Sequence, residues 1–561
     1  MRGVLLSLLL PLFCTAKVRL PAIFSDNLVF QQLGGNPVWG WADPKEKITV
    51  KTSWGETHSA TAGSSGRWMV IAYAPKAGTG HQVTIQGSNK IVLKNVAIGE
   101  VWLCAGQSNM GWSMGNSFEA EKEAKVDLPH FRIFRSAREH WHEPLGENRD
   151  RLASWKACDP KSAAETSAVS YYFGKKLHQT LGVPVGIIQR AYAGTPIEGW
   201  MPWSIQKDDP RAQAHKQAVD AGSKRLIARG MSKEKALIAY QKELADYNAK
   251  IDRGETMKNQ FRPLAPPIIT KPPELGHQYP AHIYNAMIAP IRPYAIRGMV
   301  WYQGERNAKN APQAEHYAVQ LRRMIDHYRS SWHGESWGAV SDGFPVYFTQ
   351  LPSWNPPQSK PVEGPESPWA VSRESMRKVS LSLYDTGMAV TIDTGDAIEL
   401  HPKNKKPIGL RHAYLALGKT YGLPIVHEGP VLTGHEAKAG KIILRFKSVG
   451  SGLVPARKGK LDAFALAGKD KVWHWADAKI EKDSIVLSSS KVKAPVAARY
   501  AWAMNPSQRN LLYNEEGFPA SPFRTDDWPL YDPGAELIEV IKPAKPKGYQ
   551  SKDWSRPQIA E

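Results

Sequence analysis

Val96-Ala97-Ile98-Gly99-Glu100-Val101-Trp102-Leu103-Cys104-Ala105-Gly106-Gln107-Ser108-Asn109-Met110 marks a change of pattern along the chain. Its apolar run, Val101 to Ala105, stops abruptly at a polar turn that carries Ser108. Upstream, from Val18 to about Val96, short segments such as Lys47-Ile48-Thr49-Val50-Lys51 and His81-Gln82-Val83-Thr84-Ile85 alternate with turn signals at Asn36-Pro37, Asp43-Pro44, Gly63 to Gly66 and Gly78 to Gly80. Side chains at period two send one face to a core and one to water, so this part predicts a small β-sandwich. Downstream, strand-like runs alternate with helical ones. Ser167 to Leu181 predicts a helix, Val183 to Gln189 a strand, Gly298 to Tyr302 a strand, Ala314 to Ser331 a helix and Pro345 to Gln350 a strand. Such alternation predicts an α/β fold, a parallel sheet flanked by helices, with ligand sites at the carboxyl ends of its strands.

Two other pieces frame this sheet. Residues 207–262 are polar, with helical spacing in Lys235 to Tyr247, and read as a helical insertion; after Leu423 short strands return until about Trp528. The expected organisation is a leader at 1–16, a β-sandwich domain at 17–98, and an α/β domain at 99–423 with the insertion 207–262. A C-terminal β-domain at 424–541 and a loose tail at 542–561 follow. The leader has a basic residue, Arg2, an apolar run from Val4 to Phe13, and small residues at Cys14-Thr15-Ala16, the pattern of a secretion signal. A secreted or periplasmic protein is expected. The apolar run has about half of the ~20 residues that span a bilayer, so no membrane span is expected.

With 42% hydrophobic and 22% charged residues, a mainly disordered chain is excluded. Loss of the leader leaves Cys104 and Cys158, either a disulfide pair in an oxidising compartment or two buried thiols. No C-x-x-C pair suggests a metal site, and no metal is expected. The net charge is +20, and residues 401–500 alone hold 19 Lys and Arg against 7 Asp and Glu, a balance of +12. That field favours anionic neighbours. No nucleic-acid recognition motif accompanies it, so the expected partner is an acidic polysaccharide, or the surface is simply basic.

The chemistry concentrates at four polar turns that end predicted strands. Ser108 sits in Gly106-Gln107-Ser108-Asn109-Met110, where a serine hydroxyl and the N–H groups of a turn can face the same crevice. His401 follows three acids in Asp393-Thr394-Gly395-Asp396-Ala397-Ile398-Glu399-Leu400-His401-Pro402, after the strand-like Met388 to Ile392. A serine nucleophile needs a base for its proton, and the imidazole needs a group to hold its tautomer. The other two turns are Tyr192-Ala193-Gly194-Thr195-Pro196 and Gln303-Gly304-Glu305-Arg306-Asn307. A nucleophile, a base and two sets of donors at one sheet edge would suit acyl transfer.

At this point the sequence resembles the sialate O-acetylesterases, carbohydrate esterases related to the SGNH hydrolases. The resemblance rests on Phe24 to Asn27, Val38 to Ala42, Gly99 to Leu103, Gly106 to Met110, Trp301 to Glu305, His401 to Lys405 and Phe518 to Arg524. It implies an SGNH-hydrolase-like sheet with N-terminal and C-terminal β-domains, and a serine esterase that removes acetyl groups from a carbohydrate without a cofactor. It further implies Ser108 as nucleophile, His401 as base, and an oxyanion site from Ser108, Gly194 and Gln303. The family's Asp-Ile-His-Pro run is matched by Glu399-Leu400-His401-Pro402, so Glu399 is the preferred acid; Asp396, then Asp393 or a backbone carbonyl, remain open. Glu305 and Arg306 are expected at the substrate, though Glu305 is equally a partner of nearby backbone N–H groups and an arginine such as Arg306 is more often a structural ion-pair partner. The rival expectation is a non-catalytic glycan-binding protein whose tryptophans hold sugar.

Overall fold

The computed structural model describes residues 17–552 and 555, apart from 124, 229–232, 254, 256–262 and 264–275. The leader read at 1–16 lies outside the described residues. Seven strands precede the turn that holds Ser108: β1 (Val29–Gln31), β2 (Gly34–Trp41), β3 (Lys47–Thr52), β4 (Thr57–Thr61), β5 (Arg67–Ala74), β6 (Gly78–Gln86) and β7 (Lys90–Gly106). β2 pairs with β5, while β4, β3, β6 and β7 form an antiparallel run. β3 alternates exposed Lys47 and Lys51 with fully buried Ile48 and Val50, as period-two patterning requires.

β7 is 17 residues long and passes straight through the boundary expected at residues 98 and 99. Its first half pairs antiparallel with β6, and its second half is the centre of the parallel sheet. The remaining strands of that sheet are β8 (Leu128–Arg135), β9 (Ser154–Cys158), β10 (Val185–Ala191), β11 (Gly298–Tyr302), β12 (Val346–Thr349) and β13 (Thr386–Ala389). They lie in the order β13-β12-β11-β7-β10-β8-β9, parallel throughout except for the edge strand β9. β11 and β12 are buried at every residue, because helices cover both faces of the sheet.

The helices are α1 (Ser108–Gly111), α2 (Ala120–Glu123), α3 (Pro160–Glu165), α4 (Ala168–Leu181), α5 (Pro210–Ala228), α6 (Lys233–Asp252), α7 (Ala311–Glu335), α8 (Pro368–Ser382) and α9 (Lys406–Leu415), of which α4, α7, α8 and α9 cover the sheet. Alternate residues of β7 enter opposite cores. Trp102 and Cys104 join Tyr172, Phe173 and Leu177 of α4 and Ile408 and Ala413 of α9. Leu103 and Ala105 join Leu321, Met324 and Trp332 of α7 and Trp369 and Met376 of α8. Burying a side chain of this size stabilises by about 1.5–3 kcal/mol, and the two cores clamp β7 from both sides. The polar insertion forms α5 and α6.

The strand expected over Met388 to Ile392 ends earlier, at Ala389, which leaves residues 390–401 as a loop at the carboxyl edge. Beyond it, Val431–Lys438, Lys441–Lys447, Ser484–Ser488 and Asp477–Glu481 make one antiparallel sheet in that spatial order. Trp473–Trp475, Phe464–Ala467, Ala497–Tyr500 and Phe523–Arg524 make another, and the two share a core around Leu444, Phe464, Leu487 and Tyr500. Fully buried Arg373 of α8 donates to the carbonyls of Leu351, Pro352, Ala503 and Met504 at 2.6–2.9 Å, which fastens this C-terminal part to the parallel-sheet unit. Cys104 and Cys158 are both buried free thiols, each pushed up to about 12, chiefly by burial. Among the described residues, no helix is long and apolar enough to cross a membrane.

Candidate active site

β7 ends at Gly106, whose φ of +148° lies outside the range ordinary residues adopt. A Cβ there would stand 2.1 Å from the Tyr302 carbonyl oxygen, so only glycine lets β7 and β11 stay this close at the turn. The N–H of Gln107 then donates to the same Tyr302 carbonyl at 3.0 Å, and Ser108 opens α1. Ser108 is half-buried, and its Oγ lies 2.8 Å from Nε2 of His401.

His401 comes from the loop that follows β13, and its ring stacks on Trp112 with centroids 5.6 Å apart and planes 23° apart. Burial, followed by the nearby Lys405 ammonium, lowers its pKa to about 4 against the pull of Glu399. The imidazole is therefore neutral at physiological pH, the state in which Nε2 can accept a hydroxyl proton.

The acids of this loop are engaged elsewhere. Asp393 is fully buried in a two-pronged pair with Arg411 at 2.6 and 2.7 Å, and it accepts from the Tyr513 hydroxyl at 2.7 Å. Oδ1 of Asp396 accepts from the N–H groups of Ile398 and Glu399 at 2.8 and 2.7 Å and from the Tyr549 hydroxyl at 2.8 Å; Oδ2 accepts from Ser551. Asp396 shapes the loop and does not bond to His401. Glu399 is half-buried and paired with Lys545, and it acts on His401 through its charge. The tail expected to be loose thus lies across this loop at Lys545, Tyr549 and Ser551.

Two further turns complete the edge. The Tyr192 N–H donates to the Gly106 carbonyl at 3.0 Å, and Gly194 takes a φ of +72°. The Gly194 N–H meets no acceptor among the described residues. Gln303 is fully buried, and its Nε2 faces Asn307 Oδ1 at 2.8 Å, the Thr195 carbonyl at 3.2 Å and Gln107 Oε1 at 3.3 Å. Its Oε1 accepts from the Tyr317 hydroxyl at 2.8 Å. Two hydrogens serve three acceptors, so this amide reaches a new oxyanion only by releasing one of them, and Gly194 is the readier donor.

Glu305 lies beneath the turn, fully buried, and accepts from Asn109 Nδ2 at 2.5 Å; burial raises its pKa. Arg306 is half-buried and donates to Gln278 Oε1 at 2.8 Å, beside His277, whose ring stacks on Tyr192 at 4.8 Å. This wall adjoins Gly194, since a Cβ there would lie 3.8 Å from His277 Nε2. His277, Asn307 and Asn109 were not singled out from sequence. Asn307 and Asn109 stand inside quoted turns, where the signal was present; His277 lies in a stretch with no local pattern. Among the described residues, no group of three His, Cys, Asp or Glu side chains is placed to hold a metal ion.

Comparison with known proteins agrees with this geometry. A solved carbohydrate acetylesterase from Xanthomonas citri is 30% identical, with a TM-score of 0.73, covering 91% of this chain and all of that one. Sialate O-acetylesterases of Mus musculus and Homo sapiens are 26% and 25% identical, over 90% and 93% of this chain and 93% and 96% of their own lengths. The family described as carbohydrate esterase, sialic acid-specific acetylesterase matches residues 98–263 and 270–362, the part that holds β7 to β12 and three of the four turns. The chain belongs to this family of carbohydrate esterases, the sialate O-acetylesterases.

Proposed function

We propose that this protein hydrolyses acetyl esters of a carbohydrate through an acetyl-enzyme on Ser108, in an SGNH-hydrolase-like site. The observation that carries the reading is the 2.8 Å contact between Ser108 Oγ and His401 Nε2. His401 takes the hydroxyl proton as Oγ attacks the acetyl carbonyl, and the resulting oxyanion is met by the N–H groups of Ser108 and Gly194 with help from Gln303. The tetrahedral intermediate collapses, the C–O bond to the sugar breaks, and the imidazolium gives its proton to the departing alkoxide. Water then attacks the acetyl-enzyme with His401 again as base, and acetate leaves with Ser108 restored.

Glu399 steadies the imidazolium by charge, and Arg306 with the Tyr192–His277 wall receives the sugar. Residues 1–16 direct export to the periplasm or medium, and the basic stretch 401–500 draws in acidic polysaccharide. The strands at 424–541 serve as an accessory β-unit, while the N-terminal strands share β7 with the central sheet.

The glycan-binding alternative is disfavoured by where the tryptophans lie. Trp39, Trp68 and Trp502 of the β-regions are buried in cores, and Arg499 stacks between Trp473 and Trp502. Acetate release from a generic acetyl ester by wild type and Ser108→Ala separates the two. Loss of release in a folded variant supports the esterase, and unchanged release overturns it. A screen of acetylated glycans then identifies the sugar.

A further inference from the structure

Lys405 stands four residues after His401 and is fully buried. It occupies the cap position just ahead of α9, where the partial positive charge of a helix N-terminus disfavours a cation. A buried lysine set against the local electrostatic preference calls for a compensating role. Its Nζ donates to Asn109 Oδ1 at 2.5 Å and lies 5.5 Å from the Tyr302 ring centroid and 5.9 Å from that of Trp112, the ring on which His401 stacks. Asn109 is the residue after the nucleophile. Its Nδ2 donates to Glu305 Oε1 at 2.5 Å and to the Leu400 carbonyl at 3.3 Å, one residue before the base. The other Glu305 oxygen, Oε2, is buried without a hydrogen-bond partner among the described residues.

We propose that Lys405 is a positioning residue for the Ser108–His401 pair: through Asn109 it locks the nucleophile's turn to the base's loop, and it sets a positive charge beside the Trp112 ring on which His401 stacks. The proposal rests on the esterase reading above. The charges that bear on His401 are Lys405, Glu399 and Lys542, and behind Lys405 stands Glu305. Burial lowers Lys405 itself to about 7, with Glu305 pulling the other way. A base held neutral in this way is weak. Its imidazolium is a correspondingly strong acid, suited to protonating a sugar alkoxide as it leaves.

The test is the pH dependence of kcat/KM on a small acetyl ester for wild type, Lys405→Met, Lys405→Arg and the charge-balanced Lys405→Met/Glu305→Gln. Removing the cation should move the acid limb up by about one pH unit in both Met variants, a loss of roughly two-fold at pH 5 relative to each variant's own plateau. Lys405→Arg should keep the wild-type limb. A lower plateau with an unmoved limb in both Met variants overturns the proposal. If neither folds, ¹⁵N titrations of His401 in wild type and in Lys405→Gln decide: the same low value in both overturns it, since burial alone then accounts for the value, and a higher one in Lys405→Gln supports it. Full activity of Ser108→Ala would instead overturn the esterase reading, so the two failures are distinguishable.

Discussion

At the scale of single residues, the Ser108–His401 contact sets the strongest expectations. Each of Ser108→Ala and His401→Ala should lower kcat on an acetyl ester by at least ~10³-fold with the fold intact by circular dichroism, because in the proposed mechanism the two act as one proton-transfer unit. The acids divide differently. Glu399 touches the base through charge alone, so Glu399→Gln should cost turnover and leave thermal stability unchanged. Asp396→Asn should cost both, since Asp396 holds two N–H groups of the base's own loop. Equal and mild losses of turnover at both positions would mean that neither carboxylate acts on the imidazole. The turns at Ser108 and Gly194 were legible in the sequence because each follows an apolar run that stops at polar residues; His401 stood out among the acids of its loop, and the resemblance supplied the roles expected of all three. The partners of Asp396 and Glu399 were not, because Tyr549, Ser551 and Lys545 lie some 150 positions away in a stretch without periodicity.

At the scale of elements, the sheet was readable wherever burial is two-sided. Gly298–Tyr302 is a strand over the residues its apolar run predicts. The run at Met388 misled by three residues, because buried loop residues such as Ile392 and Thr391 look like strand when their core is contributed by a distant β-unit. The junction of β7 and β11 carries an expectation of its own. Gly106→Ala would press a methyl against the Tyr302 carbonyl, part the two strand ends and move Ser108 relative to His401. A 1 Å misplacement can cost ~10²-fold in rate, so kcat should fall by at least that much while the melting temperature falls by several degrees. An active, equally stable Gly106→Ala protein would show that the turn tolerates a shift.

At the scale of the whole molecule, charge decides two behaviours. His401, His412 and His327 have pKa values lowered to about 4, 3 and 4, first by burial in each case. Between those values and the ordinary ~6.5 the unfolded chain binds more protons than the native one, so stability rises with pH across that window and is fully present above it. Melting temperature should therefore fall steadily as pH drops from about 6.5 to 4. His412→Gln should flatten that slope; its Nε2 is 2.7 Å from Thr349 Oγ1 while its Nδ1 is buried without a partner among the described residues. The second behaviour concerns the +12 stretch at 401–500. If it recruits an acidic polymer, kcat/KM on the polymer should fall as salt approaches ~0.15 M, where exposed charges are screened beyond ~8 Å, while a small neutral ester is unaffected. Equal salt dependence on both substrates would leave the charge a solubility feature.

The continuous strand β7 also bears on how such proteins can exchange parts by recombination. A gene crossover at the composition change near Gly99 would splice two half-strands from different parents into one ladder that touches β1, β6, β10 and β11 at once. A crossover in the turn at 87–89, between β6 and β7, would leave every residue of the strand with one parent. In heritable terms, the unit that carries the nucleophile begins at Lys90.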